Sequence, residues 1–448
     1  MTLVRTLPVL LATLLASHIA SAADVNCHAG AYRLDDGALV DVAPVSEPNQ
    51  LRWRLIDGRT GLLTADADGQ WSSTLGWTGR PDGVRVRFGD CTSGRISFDG
   101  HNGSKLVFDI VPTTFQGNGV TLRGRLVLPQ GSGPVPVTVA VHGSEHYSGV
   151  DRYHLQNLLP ANGIGVFVYD KRGTGGSSGK YTQDFALLSD DAKAALDEAR
   201  RLAGKRAGRM GFFGGSQGGW VAPLAASKAS GVDFVAVGYG LAESPLAEDR
   251  EQVMLDLRTA GYGDDVLSKA REVTDATGVI VATRGARGWE QMDVVRAKYG
   301  REPWWTAMKG EFTGLVAQHT RVELAKLQQE MELGTSWDYD PMPVLRSLST
   351  PQLWMLGADD REAPPEETRK RLVALAGEGR PISAVVFPGT DHGIIEFDTD
   401  AQGERHSTRI ADGYFRMQIE WIKTGRLAHA PYGNAQILAT PKAPVAAR

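Results

Sequence analysis

Gly211-Phe212-Phe213-Gly214-Gly215-Ser216-Gln217-Gly218-Gly219-Trp220 is the stretch on which the fold turns. An apolar run, Arg209–Phe213, ends in Gly214-x-Ser216-x-Gly218, and the helix-compatible run Val221–Lys228 follows. Glycines at those places are what a nucleophile on a sharp strand-to-helix turn requires, because the strained backbone brings its neighbours too close for side chains. Such a turn points the serine hydroxyl into a site and sets it at a helix N-terminus. The triplet alone arises by chance in a glycine-rich chain, and this one has 53 glycines among 448 residues. The strand before it and the helix after it give it weight.

Working outward, Val137–Val141, Ile164–Tyr169, Phe234–Gly238, Leu353–Leu356 and Ser383–Phe387 read as buried strands, with amphipathic helices at Asp190–Leu202 and Glu366–Ala376. This alternation predicts an α/β domain, a mostly parallel sheet with helices on both faces. Strands cease between about Leu241 and Ser349, a helical, charged stretch carrying Trp289, Trp304, Trp305 and Trp337. It is expected to be a cap inserted over the sheet's carboxyl edge, where such proteins bind ligands. Upstream, Ala31–Phe108 consists of short alternating segments between the pairs Asp36-Gly37, Asp57-Gly58, Asp68-Gly69 and Asp82-Gly83, which predicts a small antiparallel β domain built of hairpins. The expected division is a signal segment 1–22, a β-rich domain 23–112, a catalytic domain 113–430 with its cap at about 241–349, and a tail 431–448.

Two further strand-end loops complete a serine-based site. In Val139-Ala140-Val141-His142-Gly143-Ser144 the loop can aim a backbone N–H at a developing oxyanion, partnered by the N–H of the residue after the nucleophile, so Ser144 and Gln217 are the expected donors. A serine hydroxyl needs a general base, and His392 in Phe387-Pro388-Gly389-Thr390-Asp391-His392-Gly393 supplies one. The base needs an acid to fix its tautomer; Asp360, just past a strand, is the choice, with Asp359 competing. His142 reads as a residue binding its own loop. His146 and His154 belong to no compact cluster of zinc-site spacing, so neither a metal nor another cofactor is expected.

From about Thr121 to Arg426 the chain resembles the α/β-hydrolases, on the motifs VHGSEHYSG from Val141, YDKRGTGGSSG from Tyr169, GGSQGG from Gly214, LGADDREAPP from Leu356 and PGTDHG from Pro388. It is most similar to the bacterial esterases and serine aminopeptidase-like hydrolases. The resemblance implies Asp360 rather than Asp359 as the acid, from the spacing of Gly357, Asp360 and Pro364. It also implies a structural role beside the site for Asp170–Ser177, and a return from cap to sheet through Trp337–Thr350. Hydrolysis of carboxylic esters is the implied activity. An aminopeptidase is the alternative and would need a buried carboxylate for the substrate's amino group, for which Glu243 and Glu248 are candidates. Trp304, Trp305 and Trp289 either line an acyl pocket or form the cap's own core. In a third reading, the β domain binds envelope material and the hydrolase part is a non-catalytic scaffold.

Composition narrows the partners. Lys and Arg number 48 against 52 Asp and Glu, a net charge of -4, which leaves no basic excess for nucleic acid. A small acyl ester or short peptide-like molecule is the expected substrate, and oligomeric state is left open. Met1–Ala22 carries Arg5, the apolar run Leu7–Leu15 and then Ala20-Ser21-Ala22, the pattern of a cleaved export signal, so a periplasmic or secreted protein is expected. That run is shorter than the ~20 residues a bilayer span needs. In an oxidising compartment the 2 cysteines, Cys27 and Cys91, are expected to pair.

Overall fold

The computed structural model describes residues 25–66, 70–330, 334–428 and 431–441. The expected signal segment and the Asp68-Gly69 pair lie outside them. Eight short antiparallel strands come first: β1 (Gly30–Leu34), β2 (Leu39–Pro44), β3 (Gln50–Leu55), β4 (Thr60–Ala65), β5 (Trp71–Leu75), β6 (Pro81–Phe88), β7 (Arg95–Phe98) and β8 (His101–Lys105). They form a closed barrel, because β1 pairs with both β2 and β8. Alternate residues point inward, so Tyr32, Val40, Val42, Leu51, Trp53, Leu63 and Phe98 make its core. A disulfide joins Cys27 to Cys91, stapling the lead-in to the β6–β7 loop.

One expected hairpin turn is corrected. Asp82-Gly83 lies inside β6, and the chain reverses earlier, at Gly76–Arg80. Gly83 has φ +81°, the Asp82 carboxylate accepts from Ser73 Oγ at 2.8 Å and from Val84 N at 3.0 Å, and the β5–β6 register shifts between Ser72 and Thr74. The pair therefore makes a glycine bulge, which uses the same residue types as a tight turn.

The second body is a nine-stranded sheet of β9 (Phe108–Gln116), β10 (Thr121–Pro129), β11 (Val135–Val141), β12 (Gly165–Tyr169), β13 (Ala207–Gly215), β14 (Phe234–Gly238), β15 (Gln352–Gly357), β16 (Ile382–Phe387) and a last strand, Gln436–Ala439. From one edge the order is β9-β10-β12-β11-β13-β14-β15-β16, then the last strand, with β12 through β16 mutually parallel. Phe185–Ala203, Gly218–Lys228 and Glu366–Gly377 cover one face; Leu155–Ala161 and Tyr414–Thr424 cover the other. Both boundaries differ from the expected ones. β9 starts at Phe108 and pairs with β10 along its whole length, and Gln436–Ala439, in the expected tail, pairs antiparallel with β16.

The registers Val141↔Gly214, Gly214↔Val237, Gly238↔Met355 and Gly357↔Phe387 bring the carboxyl ends of β11, β13, β14, β15 and β16 to one edge. Loops far apart in the chain therefore meet there. Between β14 and β15 the cap helices, Pro245–Thr259 through Arg321–Glu330, pack around a core of their own, and Met342–Ser347 returns the chain to the core of the sheet.

After β16 come three short strands, β17 (Thr390–Asp391), β18 (Ile395–Thr399) and β19 (Arg405–Ile410), forming a separate small sheet. This sheet grips the barrel. Trp77 N donates to Ser407 O at 2.9 Å, Ile410 N to Gly58 O at 3.0 Å, and Arg80 pairs with Asp398 at 2.5 Å. The approach is so close that a Cβ on Gly58 or Gly76 would lie 2.0 Å from Ile410 O or 2.2 Å from Thr408 O. No helix among the described residues is long and apolar enough to cross a membrane.

Candidate active site

Ser216 sits between β13 and the helix Gly218–Lys228 with φ +52°, a left-handed conformation that costs a non-glycine residue free energy. Its neighbours explain how the turn is tolerated: a Cβ on Gly214 would lie 2.2 Å from Gly218 O. Ser216 N donates to Gly238 O at 3.1 Å, tying the turn to the end of β14. The side chain faces a cavity of about 600 Å³ that His392 also lines.

His392 follows β17, and its Nδ1 lies 2.9 Å from Asp360 Oδ2. The other Asp360 oxygen accepts from the amides of Glu362 at 2.9 Å and Ala363 at 2.7 Å, so the carboxylate is buried and fixed. Asp359 faces elsewhere and accepts from Gly389 N at 3.0 Å. The His392 Nε2 edge faces Glu362 Oε1 at 3.5 Å, and the Tyr239 ring packs edge-on to the imidazole with centroids 4.9 Å apart. Burial alone would push the imidazole pKa down; the Asp360 hydrogen bond and the charges of Asp360, Glu362 and Asp391 outweigh it and leave the pKa raised.

The loop after β11 passes close to this turn. Ser144 lines the cavity, and Gln217 is buried at the start of the serine's helix. Neither backbone amide donates to a protein group among the described residues. Lys171 Nζ, 1% exposed, donates to Gly143 O at 2.7 Å, and Tyr181 Oη donates to Ser144 O at 2.5 Å. In a trans peptide the C=O and N–H point opposite ways. The Lys171 tether on Gly143 O thus directs the Ser144 N–H away from the lysine. Burial lowers the Lys171 pKa to about 8, against the pull of Glu145. His142 binds its own surroundings, with Nε2 at 2.5 Å from Tyr169 O. Asp170 accepts from Ser148 Oγ at 2.6 Å, Val150 N at 3.1 Å and Gly176 N at 2.8 Å, a buried knot beside the site.

Three candidate substrate contacts lie away from the Ser216 cavity. Trp304 and Trp305 lie in the core of the cap, 1% and 6% exposed, because the cap helices bury their large apolar faces against one another. Glu243 is buried behind the serine's helix, where its main-chain oxygen accepts from Trp220 Nε1 at 2.7 Å; burial lifts its carboxyl pKa to about 7. Glu248 is half-buried, and its pKa is raised by desolvation and by Glu311, Glu362 and Asp360. Neither these residues nor any other described residue of the cap lines the Ser216 cavity.

The barrel takes that place. Pro44, Val45, Ser46, Arg54 and Trp77 form one wall of the cavity, with Glu145 and Glu362 among the groups on its other sides. Two of these features carried a trace in sequence: Lys171 stands inside the Asp-Lys-Arg-Gly segment, and Tyr239 follows a strand between two glycines. The barrel residues carried none.

A model of the alpha/beta hydrolase family matches residues 138–403. Among solved structures, an esterase of Pyrococcus furiosus is 15% identical with a TM-score of 0.39, over 64% of this chain and 83% of that one. The Pyrococcus horikoshii acylaminoacyl peptidase is 14% identical with a TM-score of 0.44, over 87% of this chain; this chain spans 57% of the peptidase's length. An esterase of Pyrobaculum calidifontis is 16% identical with a TM-score of 0.41, over 71% of this chain and 87% of that one. No curated protein matches the chain.

Proposed function

The chain belongs to the alpha/beta hydrolase family, and from that premise we propose that it is an exported serine hydrolase cleaving carboxylic esters through Ser216, His392 and Asp360. One observation carries the reading. A serine held at φ +52° faces the same cavity as a histidine whose far nitrogen is 2.9 Å from a buried carboxylate.

His392 takes the Ser216 proton as Oγ attacks the ester carbonyl, and Asp360 holds the imidazole and stabilises its charged form. The amides of Ser144 and Gln217 receive the oxyanion. Lys171 is a positioning residue, acting through the Gly143–Ser144 peptide. The tetrahedral intermediate then collapses, His392 protonates the leaving alkoxide, and water activated by the same histidine hydrolyses the acyl-serine. Besides the substrate and that water, each step uses side chains and amides of the chain itself.

A second reading, cleavage of aminoacyl substrates, draws support from Glu145 and Glu362 on the cavity wall, which could hold an ammonium. Turnover of alkyl esters against aminoacyl anilides separates the two. Ser216→Ala is expected to lower ester turnover by at least about 1000-fold and to abolish labelling by a fluorophosphonate. Turnover within about tenfold of the parent enzyme would refute the serine mechanism. Export is tested by the amino terminus of the mature protein, which is expected at Ala23.

A further inference from the structure

The Ser216 cavity has two cations on its barrel side. Arg54 stands on β3 and Arg152 at the end of the helix Gly149–Arg152. Arg54 Nη1 shares the Asp41 carboxylate at 3.1 Å, a cross-strand pair, while its Nε is buried with no hydrogen-bond partner among the described residues. Asp41 is in turn held by Asn157 Nδ2 at 3.2 Å, so the pair is anchored to the hydrolase body. Arg152 Nη1 donates to Ser46 Oγ at 2.7 Å, and the guanidinium lies 5.5 Å from the Tyr147 ring centre. No carboxylate among the described residues lies within ion-pair distance of Arg152.

The other charges cannot serve these arginines. Glu145 is bound by the Tyr153 hydroxyl and faces His142 Nδ1 at 3.5 Å, and Glu362 stands at His392. On the same wall, burial and the charge of Arg54 push the His154 pKa well down. The cavity therefore has a carboxylate side at the base and a guanidinium side at the barrel. A planar fork with free N–H groups matches a carboxylate, and a partly desolvated site strengthens the match. Beyond the arginines lies room for more: a larger cleft of about 1180 Å³ along the seam shares Pro44, Val45, Ser46 and Arg152 with the Ser216 cavity.

We propose that Arg54 and Arg152, with Ser46, form a carboxylate-binding subsite, and that the enzyme's preferred substrates are esters carrying a carboxylate on the part that faces the barrel. The inference rests on the ester-hydrolase reading above and deepens it. It gives the barrel a defined role, since two of the three subsite residues, Arg54 and Ser46, come from β3 and the β2–β3 loop.

Two matched esters test it: mono-p-nitrophenyl glutarate and p-nitrophenyl pentanoate, which differ by a terminal carboxylate in place of a methyl. The wild-type enzyme is expected to favour the glutarate ester by about tenfold or more in kcat/KM. Arg152→Met and the double variant Arg54→Met/Asp41→Asn, which avoids a buried unpaired acid, should each reduce that ratio about tenfold. Arg152→Lys should retain part of it. A wild-type ratio near one, or a ratio that survives both variants, overturns the subsite. Failure of the ester reading looks different, because neither ester would then turn over. In that event calorimetric titration with glutarate decides: binding by wild type that Arg152→Met loses supports the subsite, and absence of binding in wild type overturns it.

Discussion

Replacing Lys171 by methionine isolates the tether on the oxyanion loop. The side chains are of similar length, so packing is kept while the ammonium is removed. Two stability effects oppose each other. Gly143 O loses a buried partner, at about 1–3 kcal/mol, while the removal of a cation that burial disfavours, as its lowered pKa shows, offsets part of that loss. The variant should therefore fold. Losing one oxyanion donor outright costs on the order of 100–1000-fold in rate. Here the donor stays, and Tyr181 still holds the next carbonyl at 2.5 Å. The expected loss in kcat is thus about 10–100-fold, equivalent to about 1.4–2.7 kcal/mol. KM should move by less than about threefold, because the oxyanion exists only in the transition state. The pH profile adds a second readout. Wild-type kcat should fall above pH 8, where Lys171, with a pKa of about 8, loses its proton and the charge-assisted bond weakens. That limb should be missing in Lys171→Met. Steady-state kinetics on an alkyl ester, followed by pH-stat, measure both. A kcat within about threefold of wild type, or a loss confined to KM, would refute the positioning role.

Three other outcomes follow from named contacts. Glu362→Gln removes a negative charge 3.5 Å from His392 Nε2; the imidazole pKa falls, and because the base must be neutral, the acid limb of kcat/KM should move to lower pH. Gly58→Ala puts a methyl against Ile410 O at a positive φ, so the barrel should come off the β18–β19 hairpin. Faster limited proteolysis at the seam and a fall in kcat/KM would show this, and unchanged values of both would contradict the docking argument. Trp304→Leu should lower the melting temperature through a cap cavity worth on the order of 1–3 kcal/mol while leaving KM for small esters within about twofold; a large KM change with no loss of stability would restore the tryptophan to the substrate site.

The strand-end loops were legible because their chemistry is local. Gly214-x-Ser216-x-Gly218 follows an apolar strand, and the His-Gly, Gly-x-x-Asp and Asp-His-Gly segments each end one, so parallel registers alone bring them to one edge. Asp360 and Asp359 differ by a single position, and what distinguishes them is direction: one faces His392 and the other Gly389. Asp82-Gly83 is a bulge where a tight turn is expected, because the two ask for the same residues. Trp304 and Trp305 were ambiguous because a large apolar side chain satisfies a cap core and an acyl pocket equally well.

The sequence by itself determined the class of the fold, the order of the three loops that meet at Ser216, and the presence of a β-rich unit ahead of them, since each rests on patterns within about ten residues. The tertiary structure decided which neighbour walls the site. Arg54 reaches the Ser216 cavity only because the barrel closes, and because Gly58 and Gly76 let it dock on the small sheet that follows His392. The cap, which sequence placed over the site, turned its tryptophans inward instead. Contacts between segments more than 150 residues apart are set by the fit of whole surfaces, and no local pattern of residue types encodes that fit.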